Sequence, residues 1–275
     1  MLLKIFAAIG VSGSVLHTAI AGHAGGALKV SGVMLLRFFE YFFGAHLAYA
    51  LTVLLYTELF VKLDEPRDKP SKFWQWHLHE VAKLLQFYAR VDIETNGREL
   101  IPKDTRYLMV ANHRSLVDPV VTVIELADED LVYVSKPGNY KVPLLGKVMH
   151  LCGCLSMDRE NNRQALQTIK QATDFIDRDL TSVVIYPEGT RCRKNELLPF
   201  HAGSFKIAQR ANVPVVVAAL RNTDRVIHNF PLRRTKVYLD ILGVIDRDYV
   251  KTHKTKEVAL IAQQMIQDKI DAEKE

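Results

Sequence analysis

Tyr107-Leu108-Met109-Val110-Ala111-Asn112-His113-Arg114-Ser115-Leu116-Val117-Asp118 is an apolar run that stops at a polar residue and then offers an imidazole and a carboxylate. Tyr107 to Ala111 is short and continuously apolar, which fits a buried strand, and Asn112 ends it. His113 therefore emerges at the carboxyl end of a strand, the edge at which open α/β sheets bind ligands. A histidine titrates near neutral pH and takes up a proton there if a carboxylate holds its other ring nitrogen. Asp118, five residues on, is placed for that role. Alone, the pair reads equally well as a loop histidine with a satisfied hydrogen bond.

The surroundings repeat the pattern. Tyr186-Pro187-Glu188-Gly189-Thr190-Arg191 follows a second apolar run, Ser182 to Ile185, and Lys136-Pro137-Gly138 follows a third, Leu131 to Ser135. Cys154 to Met157 reads as a strand delivering Asp158 and Arg159, and further strands are expected at Val91 to Glu94, Val213 to Leu220 and Lys236 to Leu242. Between them lie helical spacings: Trp74, Leu78, Val81, Leu85 and Tyr88; a segment after Pro119; Pro143 to Met149; Ala165, Leu166, Ile169, Ala172 and Ile176; Gly203 to Arg210; and Val258, Ile261 and Met265 in the tail. Each amphipathic set is expected to pack on the core. Strands alternating with helices predict an α/β fold, a mostly parallel sheet flanked by helices.

The first sixty residues differ. Between Lys4 and Lys29 there is no Asp, Glu, Lys or Arg, and Tyr41 to Thr57 is again uncharged, although glycines and histidines interrupt both stretches. A bilayer span needs about 20 apolar residues. Three readings compete: a cleaved signal peptide, with Lys4, Ile5 to Val15 and Ala19-Ile20-Ala21 as its three parts; a buried soluble helix pair; and a membrane-associated apolar helical hairpin turning near Gly22 to Gly26. Two long apolar stretches exceed what a signal peptide requires, which favours the hairpin. The charged, proline-containing stretch Leu63 to Lys72 reads as a linker. The expected organisation is a membrane-associating helical region, 1–62, and an α/β domain, 63–275.

A net charge of +5 over 275 residues favours anionic partners. Nucleic acid is not expected, because no compact Lys/Arg block carries interleaved aromatics; the cluster Arg221, Arg225, Arg233, Arg234 and Lys236 reads as a solvated face. Cys152, Cys154 and Cys192 are too few for a disulfide framework, and an odd number fits a reducing compartment. His150, Cys152 and Cys154 lack the distal cluster a metal site requires, so no metal is expected. Gly146-Lys147 imitates a phosphate loop, but Lys141 and Val148 stand where a glycine and a Ser/Thr belong.

Four blocks in order resemble the glycerophospholipid acyltransferase family, most closely its 1-acylglycerol-3-phosphate branch. They are Asn112 to Asp118; Lys136 through Leu144-Leu145-Gly146 to Ser156-Met157-Asp158-Arg159; Tyr186 to Arg191 with Leu198-Pro199-Phe200-His201-Ala202-Gly203; and Val213-Pro214-Val215-Val216. The fourth departs, with Val217-Ala218-Ala219 where the family often carries a second proline. The resemblance implies a membrane-bound enzyme that moves an acyl group from acyl-CoA or acyl carrier protein to the sn-2 hydroxyl of 1-acylglycerol 3-phosphate, giving phosphatidate. Glycerol 3-phosphate or another lysolipid as acceptor, or a non-catalytic lipid-binding protein, are the alternatives. His113 would be the general base and Asp118 its orienter, with no cofactor and no acyl-enzyme. Lys136, Arg159, Glu188, Gly189, Thr190 and Arg191 would form the acceptor site, Arg191, Lys136 and Arg159 holding the phosphate. Glu188 is expected to shape its loop by accepting backbone hydrogen bonds and Gly189 by allowing a positive φ. For Arg159, local pairing with Asp158 or Glu160 is the alternative, and Cys192 reads as a spectator thiol. The cytoplasmic face of a membrane is where such an enzyme would work.

Overall fold

The computed structural model describes residues 1–21, 27–192 and 197–272, and the chain divides into two compact units, Met1–Lys62 and Leu63–Glu275. The first unit is a pair of helices, α1 (Leu2–Ile20) and α2 (Ala27–Phe60). Glycines in α1 let aromatic rings of α2 come close: a Cβ on Gly10 would lie 2.8 Å from the Phe38 ring, and one on Gly13 2.6 Å from the Tyr41 ring. The histidine that interrupts the second apolar stretch is also absorbed, since His46 Nδ1 meets Phe42 O at 2.8 Å and its ring lies 4.0 Å from that of Phe6. Both helices are long and apolar enough to cross a membrane by length and composition. In α2 only Phe42 and Thr57 are buried, while Leu36, Leu47 and Leu59 stand in the open. The turn expected near Gly22 to Gly26 lies outside the described residues.

The second unit is built on seven strands: β1 (Val91–Asn96), β2 (Leu108–Ala111), β3 (Leu131–Ser135), β4 (Leu155–Ser156), β5 (Ser182–Ile185), β6 (Val215–Arg221) and β7 (Thr235–Ile245). Their order in the sheet is β1-β7-β6-β2-β5-β3-β4. β6, β2, β5, β3 and β4 run parallel, so their carboxyl ends share one edge. β7 is antiparallel to β6 and β1 is parallel to β7, so those two strands run the other way. Leu108 to Ala111 and Val183 to Ile185 are wholly buried. A strand covered on both faces has no polar side to show, hence the continuous apolar runs.

Helices α3 (Lys72–Ala89), α4 (Asp118–Glu125), α5 (Pro137–Tyr140), α6 (Leu145–Leu151), α7 (Asn162–Asp177), α8 (Lys206–Ala211), α9 (Thr223–Asn229), α10 (Arg247–Thr252) and α11 (Thr255–Asp271) complete the unit. α7 covers the sheet with Ile169, Ala172 and Ile176 as its spacing predicts, adding Phe175 and leaving Leu166 exposed. Two faces differ from expectation. α3 buries Trp74, His77, Glu80 and Ala82, whereas Leu85 and Tyr88 are exposed. In α11 Val258, Ala259, Ala262 and Ile266 face the sheet and Ile261 points out. Alanines allow close helix approach, and spacing among large apolar residues does not register them.

The ladder between β2 and β6 continues past its last strand pair through a side chain. Asn112 Nδ2 donates to Leu220 O at 2.9 Å, and Asn112 Oδ1 accepts from Leu220 N at 2.7 Å, both fully buried. The amide thus replaces a strand residue while the backbone turns away toward His113. Asn112→Ala leaves a buried N–H and C=O without these partners, at a cost of about 1–3 kcal/mol. That corresponds to a fall of roughly 2–12 °C in Tm. Thermal unfolding of the variant measures it, and an unchanged Tm would mean the pairing contributes nothing.

Candidate active site

His113 stands one residue beyond Asn112, at the shared carboxyl edge of the parallel strands. Its Nδ1 lies 2.7 Å from Asp118 Oδ2. Asp118, the first residue of α4, is fully buried, and the same oxygen accepts the backbone N–H groups of Arg114 at 2.7 Å and Ser115 at 2.8 Å. An anion supplied with three donors keeps the imidazole proton on Nδ1 and leaves the lone pair on Nε2. Nε2 has no hydrogen bond among the described residues, and the His113 side chain is 19% exposed, enough for a substrate to reach it. Tyr186 stacks on the imidazole, with ring centroids 4.5 Å apart and planes 25° from parallel. Burial, reinforced by the Asp118 charge, holds the Tyr186 hydroxyl well above its ordinary pKa, so the ring presents a neutral face.

The loop after β5 grips His113 by its backbone. Glu188 Oε1 accepts from His113 N at 2.6 Å, Glu188 Oε2 accepts from Leu198 N at 3.1 Å, and Cys192 N donates to His113 O at 2.9 Å. Burial raises the Glu188 pKa, opposed by the His113 and Leu198 N–H groups and by the nearby imidazole. Glu188 is thus bonded to the loops and not turned outward to a ligand.

Gly189 has φ +71°, and a Cβ there would lie 1.6 Å from Arg159 Nη1. The guanidinium occupies the space a side chain would fill. Its Nη2 donates to Tyr186 O at 3.0 Å and its Nη1 to Pro187 O at 3.5 Å. Neither Asp158 nor Glu160 pairs with it; Asp158 Oδ1 instead accepts from Glu160 N at 3.0 Å. Arg159 is half-buried, burial lowers its pKa, and no carboxylate lies within ion-pair range among the described residues. A desolvated cation without a counter-charge is costly, and an anion nearby would relieve it.

Arg191 and Thr190 are exposed, and Arg191 adjoins Cys192, whose N–H holds His113. Lys136, also exposed, caps α5 at the end of β3, on the same sheet edge but one strand farther from β2. Neither Arg191 nor Lys136 makes an ion pair among the described residues. The structure therefore joins His113, Asp118, Glu188, Gly189 and Arg159 through direct contacts, brings Arg191 alongside by the backbone, and sets Lys136 on the rim. Sequence reasoning missed Asn112 as a strand substitute, the Tyr186 stack and the Cys192 tether; the first and last are bonds between segments far apart in the chain, with no local signal.

A cavity of about 440 Å³ lies between α3, α4 and the start of β3 and is lined by none of the residues just described. A smaller apolar cleft of about 110 Å³, lined among others by Leu85, Ala89, Val91, Val117 and Val226, adjoins the site through Val117. The three cysteines are free and buried. Burial pushes the Cys154 thiol up to about 11 and Cys152 higher still, which disfavours thiolate chemistry at both.

Residues 92–221 match the family model described as Acyltransferase. The chain is 31% identical over 153 residues to the chloroplastic 1-acyl-sn-glycerol-3-phosphate acyltransferase of Brassica napus, covering 54% of this chain and 44% of that protein. It is 30% identical over 163 residues to the 1-acyl-sn-glycerol-3-phosphate acyltransferase of Escherichia coli, covering 59% of this chain and 66% of the relative. The chain thus spans less than two thirds of either. The crystal structure of the 1-acyl-sn-glycerophosphate acyltransferase of Thermotoga maritima has a similar fold, with a TM-score of 0.60 at 23% identity over 82% of this chain and 88% of that one.

Proposed function

We propose, from the match of residues 92–221 to the acyltransferase family model, that the protein transfers a fatty acyl group from a thioester to the sn-2 hydroxyl of 1-acylglycerol 3-phosphate, giving phosphatidate. The observation that carries this reading is the 2.7 Å bond from His113 Nδ1 to buried Asp118, with Nε2 left open at the sheet edge. The acceptor hydroxyl gives its proton to Nε2 as its oxygen attacks the thioester carbonyl. The tetrahedral intermediate then collapses, the C–S bond breaks, and the leaving sulfur takes the proton back from the imidazolium. Asp118 stabilises that imidazolium throughout. The product is an ester and a free thiol, and the reaction needs no cofactor beyond acyl-CoA or acyl carrier protein as donor.

The acceptor's phosphate is held by Arg191 through its forked donors, by Lys136 as a point charge, and by the field of Arg159. Glu188 and Gly189 act by shaping the loop. A panel of acceptors offered with a labelled acyl thioester tests the reading: 1-acylglycerol 3-phosphate is expected to be the best, ahead of glycerol 3-phosphate, lysophosphatidylcholine and monoacylglycerol. Equal use of all four, or none, would overturn it.

The helices α1 and α2 hold the enzyme on the cytoplasmic face of a membrane, where a soluble thioester meets a lipid acceptor. Their uncovered apolar faces support this. A chain beginning at Asp64 is expected to leave the membrane fraction in large part. Recovery of the full chain in the soluble fraction without detergent would contradict the anchor.

A further inference from the structure

Residues 225–234 leave three arginines and three large apolar side chains in the open. Ile227, Phe230 and Leu232 are 58%, 54% and 82% exposed. Arg225, Arg233 and Arg234 are exposed and make no ion pair among the described residues. Of the acidic groups nearby, Asp224 pairs with Arg114 at 3.4 Å, Glu94 with Lys236 at 2.7 Å and Asp240 with Arg221 at 2.7 Å, while Asp92, in register with Lys236, is exposed and makes no ion pair among the described residues. Three arginines against one free carboxylate leave the patch net positive. Its backbone is fixed, with Phe230 N bonded to Val226 O, Arg233 N to Asn229 O at 2.8 Å, and Arg90 Nη1 to Leu232 O at 3.0 Å. The apolar residues are held outward by these bonds.

The patch also adjoins the active site. Asp224 pairs with Arg114, the residue after His113, and Val226 lines the same apolar cleft as Val117, the residue before Asp118. We propose that residues 225–234 dock the catalytic unit on an anionic lipid bilayer: Ile227, Phe230 and Leu232 enter the boundary between head groups and acyl chains, and Arg225, Arg233 and Arg234 bind lipid phosphates. This rests on the reading above only in that the acceptor is a membrane lipid. Exposed apolar side chains interleaved with arginines along one short segment are what an interfacial element requires. A bilayer rather than an acidic protein fits because Ile227, Phe230 and Leu232 all protrude, Leu232 to 82% exposure, beside three arginines. Fluid lipid accepts such a protrusion, whereas a protein partner must offer a matched pocket.

The test uses the full chain reconstituted into vesicles, with Leu232→Cys carrying an environment-sensitive fluorophore. The native cysteines are buried, so labelling selects position 232. In phosphatidylcholine containing about 30% phosphatidylglycerol, a composition that gives a negative surface, the emission is expected to shift to the blue and to be quenched by lipid-borne quenchers. In phosphatidylcholine alone the shift is expected to fall by at least half. Adding Arg225→Gln, Arg233→Gln and Arg234→Gln should abolish the response to anionic lipid. A probe that stays in water in anionic vesicles, an equal shift in the triple variant, or a shift that appears only with acyl carrier protein would overturn the proposal. The fluorescence does not depend on turnover, so an inactive enzyme whose probe enters the bilayer would refute the proposed reaction and leave the docking surface standing.

Discussion

His113→Ala is expected to lower turnover by about a hundredfold or more, the usual contribution of a positioned general base. The fold should survive, because Glu188 and Cys192 hold the backbone N–H and C=O of residue 113, which an alanine retains. Acceptor binding should change little, since the residues proposed to hold the phosphate are others. Asp118→Asn is expected to be harmful as well: an amide that turns its NH₂ toward the ring favours the wrong tautomer and cannot stabilise the imidazolium. Steady-state kinetics with melting curves provide the check. A well-folded His113→Ala enzyme with near-normal kcat would remove histidine from the chemistry.

Arg191→Ala is expected to reduce kcat/KM for lysophosphatidate by roughly ten- to a hundredfold, which corresponds to losing a charge-assisted hydrogen bond of about 1.5–3 kcal/mol. Arg191→Lys should restore only part, because the fork geometry is missing. A residue that merely braced its loop would lower Tm and depress every acceptor equally. Arg191 is exposed and unpaired among the described residues, whereas Arg159 carries two bonds to loop carbonyls. The two arginines should therefore separate. Arg159→Ala should lower Tm and impair both lysophosphatidate and monoacylglycerol, the former somewhat more because the cation's field is lost, and Arg191→Ala should leave Tm near wild type while changing the ratio of efficiencies for those two acceptors more strongly. An unchanged ratio in Arg191→Ala would mean that another group anchors the phosphate.

Much of the α/β framework was legible because parallel strands buried on both faces leave continuous apolar runs, as Leu108 to Ala111 and Ser182 to Ile185 do. The polar residues that follow each run fall on one edge for the same reason. Less legible was anything decided across the chain. Nothing near Asn112 indicates that its amide pairs with Leu220, and nothing near Glu188 indicates that its two oxygens divide between His113 and Leu198. The antiparallel entry of β7 between β6 and β1 is likewise a long-range choice. The short helices α9 and α10, at six or seven residues, are too brief for a periodic signal. For α3 and α11 the helices were readable but their buried faces were not, because alanines, and in α3 the buried polar residues His77 and Glu80, make the contacts.

Direct attack by the acceptor hydroxyl, with His113 as base and no acyl-enzyme, is tested most directly by a single-turnover experiment with a labelled acyl thioester. The enzyme is mixed with the thioester first alone and then with lysophosphatidate, and each sample is quenched in denaturant. The expected result is unlabelled protein before the acceptor is added, and afterwards labelled phosphatidate equal in amount to the thiol released. Label retained on denatured protein before the acceptor arrives, or free fatty acid in place of phosphatidate, would contradict it.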